Sequence, residues 1–189
     1  MKTDSNSCNE VRELLGRHAP TDAGETESLR RIVDLLAAEA DPFSRHSFKP
    51  GHLTASAIVV DADLQNTLLI FHHKLKLWLQ PGGHFEIGEF DPAAAAAREV
   101  LEETGLSTFC PHVAPLLLDV DIHGIPACKN EPEHFHFDLR MLLVAQSGDF
   151  RAGDGVDQCR WVSPNDFEIM QLDPGLARAL KKVHWKSGH

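Results

Sequence analysis

Three glutamates stand where their carboxylates must converge. Glu99, Glu102 and Glu103 lie at i, i+3 and i+4 within AAAAAREVLEETGL. At about 100° per residue, with Glu99 as the origin, the other two fall at about −60° and about +40°. On a helix they share one stripe. Ala93, Ala97, Val100 and Leu101 are expected on the opposite side, against a sheet. Three like charges this close repel, raise one another's pKa values and weaken the helix unless a cation intervenes. Arg98 alone cannot neutralise them. Mg²⁺ or Mn²⁺ can, because a hard divalent ion prefers carboxylate oxygen and keeps part of its water. Such an ion polarises a phosphoryl oxygen and lowers the pKa of bound water, which is the chemistry of phosphoanhydride hydrolysis. Gly82 and Gly83, just upstream, permit close backbone approach, so the Gly83 carbonyl is a further candidate ligand. The plainer reading of an isolated ExxEE is a solvated acidic helix face.

A second polar stripe lies further along. His134-Phe135-His136-Phe137-Asp138-Leu139 alternates, and so does Leu118-Asp119-Val120-Asp121-Ile122-His123. As strands, each places its polar groups on one face. Antiparallel pairing centred on the loop 124–133 sets His123 opposite His134 and Asp121 opposite His136. The resulting patch is a substrate wall, a secondary metal site or an ordinary solvated sheet face. His134 and His136 are candidate substrate contacts. His84, after the Gly-Gly turn, is another candidate, against the simpler role of an exposed loop histidine. His72, His73, Lys74 and Lys76 read as a solvated strand end, and Trp78 as packing. No cysteine has a local helper that would mark a nucleophile.

These residues need elements to hold them. Asp91-Pro92 reads as an N-cap followed by proline at the first helical position, and Gly105 sits where a C-terminal cap belongs. The helix is therefore expected to run to Thr104. LTASAIVVDAD and TLLIFHHK read as a hairpin, and LWLQPGGHFE as a short strand entering a loop. Further strands are expected at Val113–His123, His134–Ala145 and Gln158–Val162. Ser163-Pro164 opens a short helix, and Pro174–Trp185 forms a last one. Upstream, Glu10–Gly16 is a short helix candidate. Glu25–Ala40 has Leu29, Ile32, Val33, Leu36 and Ala37 at helical spacing. Residues 1–50 read as a helical extension and linker, and 51–189 as the catalytic unit. Strands and helices mix without a βαβ rhythm, so the expected class is α+β with a mixed or antiparallel sheet.

Composition narrows the function. The 189 residues carry 18 Lys and Arg against 28 Asp and Glu, a net charge of −10. That balance disfavours a nucleic-acid backbone as partner. No apolar run approaches the ~20 residues needed to span a bilayer. The N-terminus lacks the basic start and apolar stretch of a secretory signal. Four scattered cysteines with no CxxC fit a reducing cytosol better than a disulfide scaffold. Twelve histidines, with no tyrosine, exceed what this reading uses.

The segment Gly83–Leu106 resembles the signature of the Nudix hydrolases. That pattern runs Gly, five residues, Glu, seven residues, then Arg-Glu-apolar-x-Glu-Glu-x-Gly-apolar. Here Gly83 leads, Glu89 follows after five residues, and Arg98 to Leu106 meets the last nine positions. Eight residues rather than seven separate Glu89 from Arg98, the extra one lying before the helix. Trp78-Leu79-Gln80-Pro81-Gly82-Gly83 and Arg160-Trp161-Val162 extend the likeness to about 52–162. The resemblance implies an α/β/α sandwich around a mixed sheet, cleaving nucleoside diphosphates linked to another group. Glu99, Glu102 and Glu103 would bind Mg²⁺ or Mn²⁺ with the Gly83 carbonyl, and Glu89 would assist. Arg98 would orient a signature glutamate by a charge-assisted hydrogen bond. The general base varies within the family, and Glu99 is the first candidate. Two alternatives share the fold. An isopentenyl-diphosphate isomerase relies on an upstream cysteine motif absent from this sequence. A nucleotide-sensing module often loses carboxylates that this chain keeps. The helical extension suits a homodimer contact, since an amphipathic helix must bury its apolar face.

Overall fold

The computed structural model describes residues 5–38, 41–128 and 131–186. Among them are four α-helices and seven strands. Helix α1 (Ser5–Gly16) begins earlier than expected, because Cys8, Val11 and Leu15 share a helical face and are all buried. Helix α2 (Ala23–Ala38) is capped by Asp22, whose Oδ1 accepts the Glu25 amide at 2.8 Å. Its buried stripe is Ile32, Leu35 and Leu36. Val33 is 42% exposed, so the stripe lies rotated from the one expected. The last two expected helical positions, 39 and 40, lie outside the described residues.

The sheet is mixed. Its path runs β3 (Trp78–Leu79), β2 (Thr67–His72), β1 (Gly51–Val60), β6 (His134–Val144), β5 (Leu116–Ile125). The short β4 (Gly82–His84) also pairs with β1, and β7 (Val156–Val162) with β2. Strands β1 and β6 run parallel, and the other pairings are antiparallel. The two central strands sort their side chains by parity. Leu53, Ala55, Ala57 and Val59 of β1, with Phe137, Leu139 and Met141 of β6, face one core that also takes in α1, α2 and α3 (Pro92–Thr104). Ile58, Val60 and Leu142 face a second core closed by α4 (Pro174–Lys181). Helices thus cover both faces, the sandwich expected of this α+β chain. The apolar faces of α1 and α2 are buried within the chain, so their burial needs no second copy.

One register differs from expectation. His123 stands opposite His136, Asp121 opposite Asp138, and Ile125 opposite His134. The pairing is displaced by two residues because β5 runs on to Ile125 and the connection is correspondingly shorter. The even displacement keeps the side chains of Asp119 to Ile125 on their expected faces, while a bulge between Leu117 and Asp119 shifts the register by one beyond it. The helix expected at Ser163-Pro164 is a single 3-10 turn over Pro164–Asp166, capped by the Ser163 hydroxyl.

Candidate active site

Local signals fix both ends of α3. The Asp91 carboxylate accepts the Ala93 amide at 2.9 Å, Pro92 occupies the first turn, and Gly105 caps the C-terminus with φ 69°. Ala95, Ala96 and Val100 are fully buried against the sheet. Leu101, expected to pack there, is 48% exposed. The reason is rotational: the helix turns part of its acidic stripe toward β4, and Leu101 falls on the outer side. Only Glu102 faces solvent, with 49% of its side chain exposed against 14% for Glu99.

Strand β4 is the second wall. A Cβ on Gly83 would lie 2.7 Å from the Glu99 carboxylate, and one on Gly82 would lie 2.3 Å from the Ser56 Cβ. Close approach to the β1 backbone therefore requires glycine at position 82, and any side chain at position 83 would displace the Glu99 carboxylate. The Gly82 amide donates to Glu103 Oε2 at 3.0 Å. Glu99 and Glu103 thus converge on the backbone of the Gly-Gly turn.

Arg98 organises the remaining charges. Its Nη1 donates to Glu99 Oε1 at 2.8 Å and to Glu102 Oε1 at 3.2 Å. Its Nη2 donates to Glu89 Oε2 and to the His84 carbonyl, both at 2.8 Å. One guanidinium fork spans three carboxylates, which a lysine could not do. Glu103 is not among them. Burial, with Glu99 and Glu102 nearby, pushes its carboxyl up to about 8 even though the Gly82 amide favours the anion. Burial also raises Glu99, against the pull of Arg98. The site therefore holds more carboxylate than its one arginine balances. A hard divalent cation fits this donor set of oxygens, and Glu99, Glu102, Glu103 and the Gly83 carbonyl are the residues that would hold it.

The second stripe is built differently from the sequence picture. Asp138 is 3% exposed and accepts Thr54 Oγ1 at 3.0 Å, Ser56 Oγ at 2.7 Å and Arg140 Nε at 3.2 Å. Arg140, itself buried, also meets Asp119 at 3.4 Å and Asp121 at 3.0 Å, and Arg178 meets Asp119 at 2.8 Å. This half of the stripe is an interior ion network that closes the sheet onto α4. The other half gathers His84, His134 and His136 around His52, which the sequence reading missed. His52 has no exposed surface. Burial lowers the pKa of His52, His84 and His136, with His84 at about 4 and His136 at about 2, so these three rings are neutral at pH 7. The signal for His52 was present in its own strand: His52, Thr54 and Ser56 alternate with Leu53, Ala55 and Ala57. Lys76 and His73 are taken up by Asp157 at 2.7 and 2.6 Å. Trp78 packs on Phe71 with ring centroids 5.3 Å apart. A cleft of about 780 Å³ between the N-terminal segment and α4, bearing Arg17, Arg178, Lys181 and Lys182, shares no residue with the carboxylate site.

Comparison with known proteins bears on this geometry. The family model described as NUDIX domain matches residues 50–183. A probable DHNTP pyrophosphohydrolase of Lactococcus lactis subsp. cremoris is 37% identical over 124 residues, spanning 64% of this chain and 70% of that protein. The phosphatase NudJ of Escherichia coli K12 is 32% identical over 130 residues, spanning 66% of this chain and 74% of its own. A crystal structure of a NUDIX-family hydrolase from Clostridium perfringens superposes with a TM-score of 0.52 at 26% identity, covering 74% of this chain and 97% of that one.

Proposed function

The chain belongs to the Nudix hydrolase family, and from that premise we propose that it is a Mg²⁺- or Mn²⁺-dependent pyrophosphohydrolase of a nucleotide-type substrate. One observation carries the metal dependence. Glu99 and Glu103 are withdrawn from water beside the Gly82-Gly83 backbone, and Arg98 reaches only the first of them. Such a pair is stable as two anions only with further positive charge.

The chain's own groups then divide the work. Glu99, Glu102, Glu103 and the Gly83 carbonyl hold the cation, which when bound supplies charge stabilisation at phosphorus and a more acidic water. Arg98 fixes the rotamers of Glu89, Glu99 and Glu102 before substrate arrives, so little reorganisation remains for the transition state. Glu102 stands on the open side, where water and substrate enter. A signature glutamate takes the proton of the attacking water, and Glu99 is the first candidate. The bond broken joins two phosphoryl groups of a nucleoside diphosphate linked to another group. The relative named for DHNTP pyrophosphohydrolysis supports the pyrophosphate bond as the target. No helix among the described residues is long and apolar enough to cross a membrane. Cys110, Cys128 and Cys159 stand as thiols, which suits a cytosolic setting.

The test is a panel of ADP-ribose, nucleoside triphosphates, a dinucleoside polyphosphate, a nucleotide sugar and DHNTP, with Mg²⁺ or Mn²⁺ and with chelator. Phosphate and pyrophosphate release report the bond cleaved. Glu103→Gln is expected to lose on the order of 10³-fold in kcat with an unchanged circular dichroism spectrum. Turnover in chelator, or full activity in that variant, would end the proposal.

A further inference from the structure

Away from the carboxylates, His52, His84 and His136 form a cluster with no role so far. Each offers one ring nitrogen, and the three atoms lie within 4.8 Å of one another. The ring centroids make a near-equilateral triangle with sides of 5.1, 4.9 and 4.9 Å. The rings come from three adjacent strands. Register sets His52 opposite His136 and Thr54 opposite His84, all on one face. The cluster is thus built on the sheet itself, not on a mobile loop.

His52 shows what the cluster lacks. Its Nδ1 lies 3.0 Å from the Ser47 carbonyl, which only accepts, so Nδ1 carries the proton. In the neutral ring Nε2 is then a bare lone pair. Nε2 is buried and has no hydrogen-bond partner among the described residues. A buried acceptor left unpaired is costly and calls for an explanation. A backbone carbonyl fixing one ring nitrogen while the other presents its lone pair is the usual second-shell arrangement of a metal-binding histidine. His134 repeats it nearby, with Nδ1 2.7 Å from the Pro132 carbonyl and its ring stacked on His52 at 5.1 Å.

We propose that His52, His84 and His136 form a site for a borderline divalent transition ion, Zn²⁺ foremost, on the sheet face opposite the carboxylates. Imidazole nitrogen suits Zn²⁺ and carboxylate oxygen suits Mg²⁺, so ligand softness sorts the two ions between the two faces. Tetrahedral Zn²⁺ with bonds of about 2.0–2.1 Å sets its nitrogens about 3.4 Å apart, reachable by small inward turns of the rings. Three histidines leave the fourth position open to water or to an anionic ligand. The faces are separate because side chains alternate: a Cβ on Gly83 would point at Glu99, and His84, the next residue, points away. They are also joined, because Arg98 of the carboxylate site donates to the His84 carbonyl at 2.8 Å.

The experiment titrates Co²⁺ into the full chain after stripping with chelator, reading its visible absorption, and then measures Zn²⁺ affinity by competition with a chromophoric chelator. One equivalent of tetrahedral Co²⁺, displaced by Zn²⁺, is expected in the wild type and in Glu103→Gln. His136→Gln, at a half-buried ring, should weaken Zn²⁺ binding at least tenfold while its thermal melt stays cooperative. His52→Gln should do the same if it folds. A wild type showing only the weak spectrum of six-coordinate Co²⁺ overturns the proposal whatever the variants do. So does tight binding that survives His136→Gln or disappears in Glu103→Gln. None of these readings depends on turnover, so failure here is distinct from failure of the hydrolase reading.

Discussion

Replacing Glu25 with Gln tests whether the two N-terminal helices fold as part of the sheet domain. Glu25 sits in the first turn of α2 with no exposed surface. It accepts the Thr21 amide at 2.7 Å and lies 2.7 Å from His18 Nε2. It also pairs with Lys182, whose Nζ lies 2.7 Å from Asp119 Oδ2. One carboxylate therefore ties α2 to the end of α4 and to β5. Burial alone would raise its pKa. The Lys182, Thr21 and His18 bonds outweigh burial and bring the group from 4.5 down to about 2. At about 1.4 kcal/mol per pH unit, that fall is worth about 3 kcal/mol at neutral pH. The sign follows from the direction. A depressed carboxylate contributes its stability above the unfolded value of 4.5 and loses it as pH falls toward about 2. Glutamine keeps the shape and one acceptor, so Glu25→Gln should cost about 2–3 kcal/mol at pH 7. Urea unfolding, followed by circular dichroism and tryptophan fluorescence at several pH values, measures this directly. The gap between wild type and variant should narrow as pH falls from 4.5 toward about 2, because other carboxylates titrate alike in both proteins. A gap under about 0.5 kcal/mol at pH 7, or one indifferent to pH, would refute the reasoning. Two separate transitions in the wild type would refute the single unit.

Other perturbations probe the site. Arg98→Lys keeps the charge but loses the fork that spans Glu89, Glu99 and Glu102, so kcat should fall about 10–100-fold and more Mg²⁺ should be needed for half-maximal activity. Metal titration of the rate checks it, and a wild-type Mg²⁺ requirement would count against the positioning role. Gly83→Ala puts a methyl 2.7 Å from the Glu99 carboxylate. Restoring ordinary contact moves Glu99 by roughly 0.7 Å, enough for a loss of about 10²-fold in kcat with little change in melting temperature. Unchanged kinetics would mean that Glu99 need not sit against the Gly-Gly turn.

Legibility followed the range of the interactions. Helix α3 could be read to the residue because both of its caps are local, Asp91-Pro92 at one end and Gly105 at the other. Strand parity was equally legible, since side chains alternate whatever the partner. The β5–β6 register was not, because it depends on how much of the connection joins the ladder, and composition does not encode that. His52 escaped for a related reason. Its partner His136 lies on a parallel strand far along the chain, and no short-range pattern announces a parallel pairing. The ion network of Asp119, Asp138 and Arg140 escaped because alternating charge reads as a solvated face until the covering helix is known. The same polar alternation made a buried network at one end of β6 and a histidine cluster at the other.

The extra residue before α3 shows how the site tolerates a departure in length. The loop folds on itself: the Glu89 amide donates to the Glu86 carbonyl at 3.0 Å, and the Glu86 amide donates to Glu89 Oε2 at 3.1 Å. Gly88 between them takes φ 87°, a left-handed turn that suits glycine. Phe90 then anchors the exit edge-on against Phe43, with centroids 5.2 Å apart. The inserted length falls just after this closed turn, in the Phe90–Asp91 stretch, which the Phe43 contact and the Asp91 cap hold in place. Glu89 still reaches Arg98 at 2.8 Å, with only 18% of its side chain exposed. Because the added residue precedes Asp91, the cap and the i, i+3, i+4 register of the three glutamates are untouched. What the site requires is the Glu89–Arg98 contact and the helical phase, and a longer loop satisfies both.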